Sequence, residues 1–259
     1  MYLESQPQMA LCLLSTNPNI NQLKFMTSMS KHYDIFVAID SDEKQRQENL
    51  SSSLRNKIKF INVSRGQAEK LGYFGSTYSG NGIIEVSTRD KALYFFCEEN
   101  NLYKNVWMIE DDVFIPSSKT LNNIDSLYPD ADLLCSKLHT VNKEWFWHMN
   151  AKEEFPECPI FRSMVCALRC SAKMLMEIKK SANEKKYLEM DELLFANIAK
   201  KKNLNISSAK ELDHLVFYEH DLPFSWSEVS KIKQTHLYHP CKGYKKQSSI
   251  RSRIKPTLH

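Results

Sequence analysis

Residues 106–113 read Val-Trp-Met-Ile-Glu-Asp-Asp-Val, an apolar run that ends in three consecutive acids. The apolar part predicts a strand buried on both faces, because such strands are continuously apolar rather than alternating. In an open α/β sheet the carboxyl ends of the strands face the ligand crevice. We therefore expect Glu110, Asp111 and Asp112 in that crevice, where a hard divalent cation would relieve their mutual repulsion. An acidic turn that only caps the strand is the structural alternative.

Strands and helices alternate in the rest of the chain, which predicts one α/β domain with a mostly parallel central sheet flanked by helices. Further strands are predicted at 9–14, 34–39, 58–63, 133–138 and 164–168. Helices are predicted at 21–32, 88–100 with Thr88 as the N-cap, 171–180 and 187–201. Residues 66–82 contain five of the six glycines and are expected to form a mobile loop.

The composition suits a globular domain, with 259 residues, 42% hydrophobic and 25% charged. No apolar run reaches the ~18 uncharged residues of a membrane-spanning helix. The N-terminal sequence lacks the basic and apolar regions of a secretory signal. We therefore expect a cytoplasmic protein without a transmembrane segment. The seven cysteines form no Cys-x-x-Cys pair, so buried reduced thiols are expected rather than a zinc site.

The net charge of +4 is unevenly distributed, because residues 229–259 carry eight Lys and Arg and no acid. Such a tail can be a solvated end, a membrane-surface or nucleic-acid patch, or a clamp for a ligand's phosphates. The rest of the chain lacks the Lys/Arg stripe with interleaved aromatics of a nucleic-acid binder. We predict no nucleic-acid partner, and peripheral membrane contact through the tail stays open.

Four features together resemble the GT-A fold nucleotide-sugar glycosyltransferases over about residues 9–245. They are a first strand poor in glycine, a second strand that runs into Asp40, a helix that starts Thr-Arg-Asp-Lys, and the Glu-Asp-Asp run. The acidic "DxD" motif of that family takes the form Glu-Asp-Asp in several inverting members. The resemblance implies a hexosyl- or pentosyltransferase that moves a sugar from a nucleoside diphosphate sugar, expected to be a UDP-sugar, to an acceptor hydroxyl on a glycan, with inversion.

The resemblance also implies a domain organisation. A GT-A domain at 1–247 would comprise a nucleotide-sugar-binding half at about 9–115 and an acceptor-side half at about 116–247. A basic C-terminal tail would follow at 248–259.

The resemblance implies donor-site roles for the three acids that follow the central strand. Asp112 would ligate Mn²⁺ or Mg²⁺ bound to the donor diphosphate. Asp111 would touch the donor's sugar or ribose, and Glu110 would hold the nucleotide or support the metal shell.

A second donor-site group is expected near the C-terminus. His239 fits the C-terminal histidine that often completes the metal site in GT-A enzymes, and Lys242 fits the lysine that contacts the diphosphate. An imidazole among the ligands suits Mn²⁺ better than Ca²⁺. His236 is the alternative ligand, and an exposed histidine in a basic tail is the structural alternative.

The nucleotide would lie against the first two strands. Ser15, Thr16 and Asn17 follow the first strand and Asp40 closes the second, although ordinary strand-end turns would look the same. Arg89 can meet the diphosphate or pair with acids on its own helix.

Asp191 and Glu192 are the candidates for the general base that removes the acceptor proton, with Asp191 preferred. Acids in the first turn of a helix are also favoured by its dipole, which is the structural alternative.

Acceptor residues are expected among Trp145, Trp147 and His148, because flat aromatic faces pack on sugars, although buried aromatics are more often core. Arg162 and Arg169 flank a predicted strand and can serve either an anionic ligand or the fold.

Three other functions stay open: a retaining transferase on the same fold, a sugar nucleotidyltransferase on a similar sheet, and a catalytically inactive carbohydrate-binding relative. The turn after the first strand reads Ser-Thr-Asn-Pro, which argues against the Gly-rich, basic loop of a nucleotidyltransferase.

Overall fold

A seven-stranded sheet forms the centre of the computed structural model, which describes residues 9–39, 54, 56–79, 82–83, 86–99, 103–156, 159–216 and 229–254. The strand order in this sheet is β11-β7-β10-β6-β1-β2-β3. The thirteen strands of the described residues are β1 Met9–Ser15, β2 Asp34–Ile39, β3 Lys59–Ile61, β4 Tyr78–Ser79, β5 Gly82–Ile83, β6 Asn105–Glu110, β7 Leu133–Cys135, β8 His139–Thr140, β9 Phe161–Arg162, β10 Ala167–Ser171, β11 Ile206–Ser208, β12 His214–Leu215 and β13 Tyr238–His239. Within the large sheet only β10 is antiparallel to its neighbours, β6 and β7, so the predicted mostly parallel α/β architecture is confirmed.

Helices flank this sheet. The eight α-helices of the described residues are α1 Ile20–Thr27, α2 Arg65–Lys70, α3 Thr88–Tyr94, α4 Thr120–Leu127, α5 His148–Glu154, α6 Ala172–Lys185, α7 Asp191–Lys201 and α8 Tyr244–Arg251. A π-helical turn, Phe95–Glu99, continues α3, and a 3₁₀ turn spans Lys210–Leu212. None of the described helices has both the length and the apolar character needed to cross a membrane.

The central strand β6 divides two hydrophobic cores, which is why its sequence is apolar without alternation. Val106 and Met108 face one core, whereas Trp107 and Ile109 face the other. All four side chains are at most 1% exposed. The strand ends at Glu110, so the acids begin where burial on both faces ends.

The prediction of a mobile loop at 66–82 was wrong. Helix α2, Arg65–Lys70, covers the first part of this segment, with a capping box in which Ser64 and Gln67 exchange side-chain and backbone hydrogen bonds. A short hairpin of β4 and β5 follows. The glycines of this segment favoured the prediction of a loop, although the Ser-x-x-Gln pattern of Ser64 and Gln67 indicates the start of a helix.

Several predicted boundaries also differ, among them those of α3 and β10. The N-cap of α3 is Ser87 rather than Thr88, because Ser87 lies three residues before Asp90 and forms a capping box with it. The strand predicted at 164–168 is β10, Ala167–Ser171. Because Arg169 is charged, the sequence predicts that the strand ends before it. In the structure Arg169 lies inside β10.

Arg169 joins the sheet to α4 through a buried ion pair. Its side chain is 1% exposed, and Nη1 donates to Asp125 Oδ1 at 2.5 Å. Nη2 donates to the carbonyl oxygen of Tyr128 at 2.5 Å. The indole N–H of Trp107 in β6 donates to the same Asp125 oxygen at 3.0 Å. Arg169 therefore serves the fold, one of the two roles that its sequence position allowed.

We predict that Arg169→Met lowers the free energy of unfolding by about 3–5 kcal/mol, because it leaves the Asp125 carboxylate buried without its cation. Urea denaturation followed by circular dichroism measures this change. Lys173→Met, on the exposed first turn of α6, is the control and should stay within about 0.5 kcal/mol of the wild type. A loss below about 1 kcal/mol in the Arg169 variant would contradict this role.

Candidate active site

A cleft of about 280 Å³ opens at the carboxyl ends of β1 and β6. These strands are paired in parallel register from Met9 with Asn105 to Leu14 with Glu110, so the turns that follow them meet. The backbone N–H of Asp111 donates to the carbonyl oxygen of Leu14 at 3.1 Å. The described lining residues are Leu14, Ser15, Thr16, Thr77, Ser87, Thr88, Arg89, Glu110, Asp111, Asp112 and Asp191.

A larger groove of about 520 Å³ is bordered by α6 and α7. The acids of the smaller cleft are not among its described lining residues. Its charged residues include three lysines that pair with glutamates of the same groove. Lys180 and Lys202 contact Glu177 at 2.5 and 3.4 Å, and Lys185 pairs with Glu189. We take the smaller cleft as the candidate active site because it gathers the clustered acids.

Glu110, Asp112 and His239 each bring one ligand atom to a common point, with these atoms within 4.8 Å of one another. His239 Nε2 lies 3.3 Å from Asp112 Oδ1 and 4.0 Å from Glu110 Oε2. His239 Nδ1 lies 2.7 Å from the carbonyl oxygen of Val216, which directs Nε2 toward the carboxylates. Two carboxylates and one imidazole form a donor set that fits Mn²⁺ or Mg²⁺. His236, the alternative ligand, instead lies 2.9 Å from the hydroxyl of Thr235 through Nδ1.

Burial lowers the pKa of His239, but the contacts with Asp112 and Cys166 outweigh burial and raise it to about 11. The imidazolium is therefore a counter-charge for the acids. A cation that binds here takes the place of its proton, since a metal ligand must be deprotonated.

Backbone hydrogen bonds hold the C-terminal segment against the acidic turn. The N–H of Phe114 donates to the carbonyl oxygen of Tyr238 at 2.8 Å, and the N–H of Cys241 donates to that of Asp112 at 2.7 Å. The side chain of Gln247 donates to the carbonyl oxygen of Asp111 at 3.0 Å. Lys242, the expected diphosphate contact, is exposed and directly follows Cys241.

The predicted boundary between domain and tail, 247/248, falls inside α8. Gln247 is buried, and the Arg251 guanidinium lies 3.9 Å from the ring centre of Phe25. Arg251 also donates to the carbonyl oxygen of Ile115 at 3.3 Å. The run of basic residues predicted a separate tail, but α8 packs against the domain. A sequence does not distinguish an arginine that stacks on a ring from one that is solvated.

Arg89 lines the cleft, with its side chain 3% exposed. Nη2 contacts Glu110 Oε1 at 2.6 Å and Nε contacts Asp191 Oδ2 at 3.1 Å. Nη1 donates to the carbonyl oxygen of Val165 at 2.8 Å. Both acids lie on other elements. Arg89 therefore pairs with acids from distant segments and not with acids of its own helix, which was the other pairing that the sequence allowed.

Asp191 lines the cleft, whereas Glu192 is not among the described lining residues. The N–H of Asp191 donates to the carbonyl oxygen of Ser76 at 2.6 Å, and its Oδ1 accepts from the N–H of Glu192 at 2.8 Å. Burial raises the pKa of Asp191 to about 7, against the attraction of Arg89. Burial also raises the pKa of Glu192, which contacts Arg162 at 3.8 Å.

The turn after β1 brings two of its three predicted residues into the cleft. The hydroxyl of Ser15 donates to the carboxylate of Asp111, and exposed Thr16 lines the opening. Asn17 is exposed and donates its N–H to Ser15 Oγ at 3.2 Å. Burial raises the pKa of Asp111, and the neighbouring Asp112 and Glu110 raise it further. Asp40 lies outside the described residues.

The predicted acceptor aromatics lie beside the start of α7. Trp145 and Trp147 are partly buried and pack against a cluster that includes Met190 and Leu193, which flank Asp191 and Glu192. His148 begins α5. Trp145 and Trp147 thus pack against the cluster that contains the start of α7, and none of the three residues is among the described lining of the cleft.

No protein-family model and no curated protein matches this sequence. Among solved structures, an active-site mutant of LgtC superposes with a TM-score of 0.54 at 12% identity, covering 97% of this chain and 98% of that one. The bifunctional glycosyltransferase WbbM in apo form superposes with a TM-score of 0.51 at 11% identity, covering 98% of this chain and 51% of that one. The chain has a GT-A fold.

A further solved structure gives a weaker superposition. The 4-diphosphocytidyl-2C-methyl-D-erythritol synthase of Anaerococcus prevotii has a TM-score of 0.46 at 7% identity, covering 78% of this chain and 91% of that one. Because all these identities are 12% or less, the GT-A likeness establishes the fold and leaves the reaction to the site residues.

We predict that Asp191→Asn gains stability relative to the wild type as the pH rises from about 4 to about 7. The pKa of Asp191 rises from an ordinary 3.8 to about 7 on folding, so the folded state holds a proton that the unfolded state releases. Wild-type stability is therefore lost over this range, and asparagine removes that loss. Urea denaturation of metal-free protein at several pH values measures the difference, and a difference that does not change with pH contradicts it.

Proposed function

We propose that this GT-A protein is a metal-dependent glycosyltransferase that moves a sugar from a UDP-sugar to an acceptor hydroxyl on a glycan, with inversion. The observation that carries the proposal is the meeting of Glu110, Asp112 and His239 in one donor set, beside a cleft that Asp191 also lines. One cleft thus combines a site suited to a divalent cation and a carboxylate suited to proton removal.

The donor diphosphate would be bound through a cation held by Glu110, Asp112 and His239. When bound, Mn²⁺ or Mg²⁺ supplies positive charge that stabilises the departing diphosphate. Glu110 is the third ligand in this proposal, and its other oxygen pairs with Arg89. Lys242, exposed on the segment that contacts the acidic turn, would add a second positive charge at the diphosphate.

The nucleotide would bind at the turn after β1. Thr16 and Asn17 are exposed there, so their polar groups are available to a ribose or a base. Asp111 is held by the Ser15 hydroxyl and by the N–H bond to Leu14, which fixes the carboxylate in the cleft. A fixed carboxylate suits a sugar or ribose hydroxyl, because both of its oxygens accept hydrogen bonds.

Asp191 would act as the general base. A pKa of about 7 suits this role, because a base works best when its pKa lies near the operating pH. The acceptor hydroxyl would transfer its proton to Asp191 while its oxygen attacks the anomeric carbon, and the bond to the diphosphate would break in the same displacement. Arg89 would position the base, since its guanidinium contacts Asp191 Oδ2 at 3.1 Å.

The charge of the cleft supports a diphosphate donor over the triphosphate of a nucleotidyltransferase. Arg89 is the single cationic side chain among the described lining residues, and two carboxylates already pair with it. The turn after β1 supplies hydroxyl and amide groups but no Lys or Arg. A triphosphate would need more free positive charge than this cleft offers.

We predict that UDP with Mn²⁺ raises the melting temperature, and that Asp112→Asn abolishes this rise while the variant still folds. Ligand at a hundredfold excess over Kd stabilises by about 2.7 kcal/mol. Removing one of several clustered acids should relieve repulsion rather than unfold the protein. Differential scanning fluorimetry measures the shift, with Asp130→Asn on the exposed turn after α4 as the matched control.

Equal stabilisation by UDP in Mn²⁺ and in EDTA would contradict the metal's part in donor binding. A full Mn²⁺-dependent shift in the Asp112 variant would contradict the ligand assignment.

We predict that Asp191→Asn lowers sugar transfer by about 10²–10⁴-fold and leaves the Kd for UDP with Mn²⁺ unchanged, because it removes proton transfer alone. Glu192→Gln is the matched control and should retain transfer within a few fold. Release of UDP from UDP-sugars in the presence of acceptor measures the rate, and proton NMR of the first product gives its anomeric configuration. If Glu192→Gln is the inactive variant, the base is one residue further on; a product of retained configuration would end the inverting proposal.

A further inference from the structure

Arg162 is the last residue of β9, and unlike Arg169 it is not buried in an ion pair of the core. Its side chain is 33% exposed. Its closest carboxylate contact among the described residues is Nη1 to Glu192 Oε2, at 3.8 Å. Charge-assisted hydrogen bonds are about 2.7–2.9 Å long, so this ion pair leaves the N–H groups of the guanidinium unbonded to described residues.

The position of Arg162 is nevertheless fixed by its neighbours. Phe161 exchanges two hydrogen bonds with the side chain of Asn197 in α7, at 3.0 and 2.7 Å. The N–H of Ser163 donates to the carbonyl oxygen of Glu192 at 3.1 Å. The guanidinium lies 5.0 Å from the ring centre of Trp145, which orients it without using its N–H groups. A planar donor fork held in this way is pre-organised for a ligand.

Arg162 contacts the start of α7, the helix that carries the proposed base. Glu192, its ion-pair partner, directly follows Asp191, whose carboxylate lines the cleft. Trp145 packs against the cluster that contains Met190, the residue before Asp191. Arg162 therefore contacts the residue next to the proposed base, with Trp145 against its guanidinium.

Two basic side chains, Lys137 and His139, lie near Arg162 in addition to its acidic partner Glu192. His139 pairs with it across the β8–β9 ladder, and burial and then the charges of Arg162 and Lys137 lower the pKa of His139. Lys137 and His139 are both exposed. Because the lowered pKa favours neutral His139, the positive charge here is that of Arg162 and Lys137, and it favours an anion over a neutral sugar.

We infer that the acceptor is an anionic glycan, whose carboxylate or phosphate group binds the guanidinium of Arg162 while its sugar packs beside Trp145. The inference rests on the proposed function, because it assigns the acceptor of that reaction. The planar fork of arginine matches both carboxylate and phosphate in a bidentate way.

The test is binding of the wild-type protein, loaded with UDP and Mn²⁺, to an array of neutral glycans and of their uronate and phosphate derivatives. We expect the retained glycans to be anionic. Comparing retention of the uronate derivatives with that of the phosphate derivatives shows which anionic group the protein binds. For the tightest glycan, Arg162→Gln should raise the Kd by about 10–100-fold, and Arg162→Lys should recover only part of the loss, because lysine lacks the planar fork. Lys173→Gln removes one exposed charge from α6 and should leave the Kd unchanged.

Three results would overturn the inference: equal retention of neutral and anionic glycans, an unchanged Kd in Arg162→Gln, or no retained glycan. Titration of the wild-type protein with UDP and Mn²⁺ is measured in parallel. If UDP fails to bind while anionic glycans bind through Arg162, the donor proposal fails and the anionic site stands. If UDP binds while neutral glycans are preferred, only the anionic acceptor is rejected.

Discussion

The buried guanidinium of Arg89 is the contact on which the cleft depends. It pairs with Glu110 at the end of β6 and with Asp191 at the start of α7, two acids from distant parts of the chain. A buried carboxylate without a cation either takes up a proton or destabilises the fold. Arg89 therefore allows a strand end and a helix start to bring their acids into one cleft. Local sequence fixes Arg89 in turn, because the capping box of Ser87 and Asp90 sets the start of its helix.

Arg89 leaves the cleft with an excess of negative charge. Asp111 and Asp112 are not paired with it, and the pKa of Asp111 is raised by burial and by its acidic neighbours. The donor set of Glu110, Asp112 and His239 is where a divalent cation would relieve this excess. The cationic side chains of the proposed acceptor region are Arg162 and Lys137. In the proposed reaction, the donor would thus be held by a metal among acids and the acceptor by an arginine beside an aromatic ring.

The buried strands could be predicted from the sequence because burial on both faces appears directly as continuous apolar runs. The predictions at 9–14, 34–39 and 106–109 each agree with the observed strand to within one residue at either end. The acidic turn and His239 could be singled out by residue type, and they meet in space. Their functional roles are still predictions.

Contacts between distant segments could not be predicted from the sequence in the same way. The pairing of Arg89 with Asp191 and the burial of Arg169 against Asp125 depend on partners that no local pattern indicates. Arg162 and Arg169 look alike in the sequence, and only their partners distinguish them. The packing of α8 was missed for a related reason, since stacking of Arg251 on Phe25 depends on a residue near the other end of the chain.

Electron spin echo spectroscopy of Mn²⁺ bound in the presence of UDP tests the central claim most directly, because it detects the nuclei around the ion. The account predicts nitrogen modulation from the His239 imidazole together with phosphorus coupling from the UDP diphosphate. His239→Ala should remove the nitrogen signal, whereas His236→Ala should retain it. Bound Mn²⁺ that shows phosphorus coupling without imidazole nitrogen, or a nitrogen signal that survives His239→Ala, would contradict the assignment.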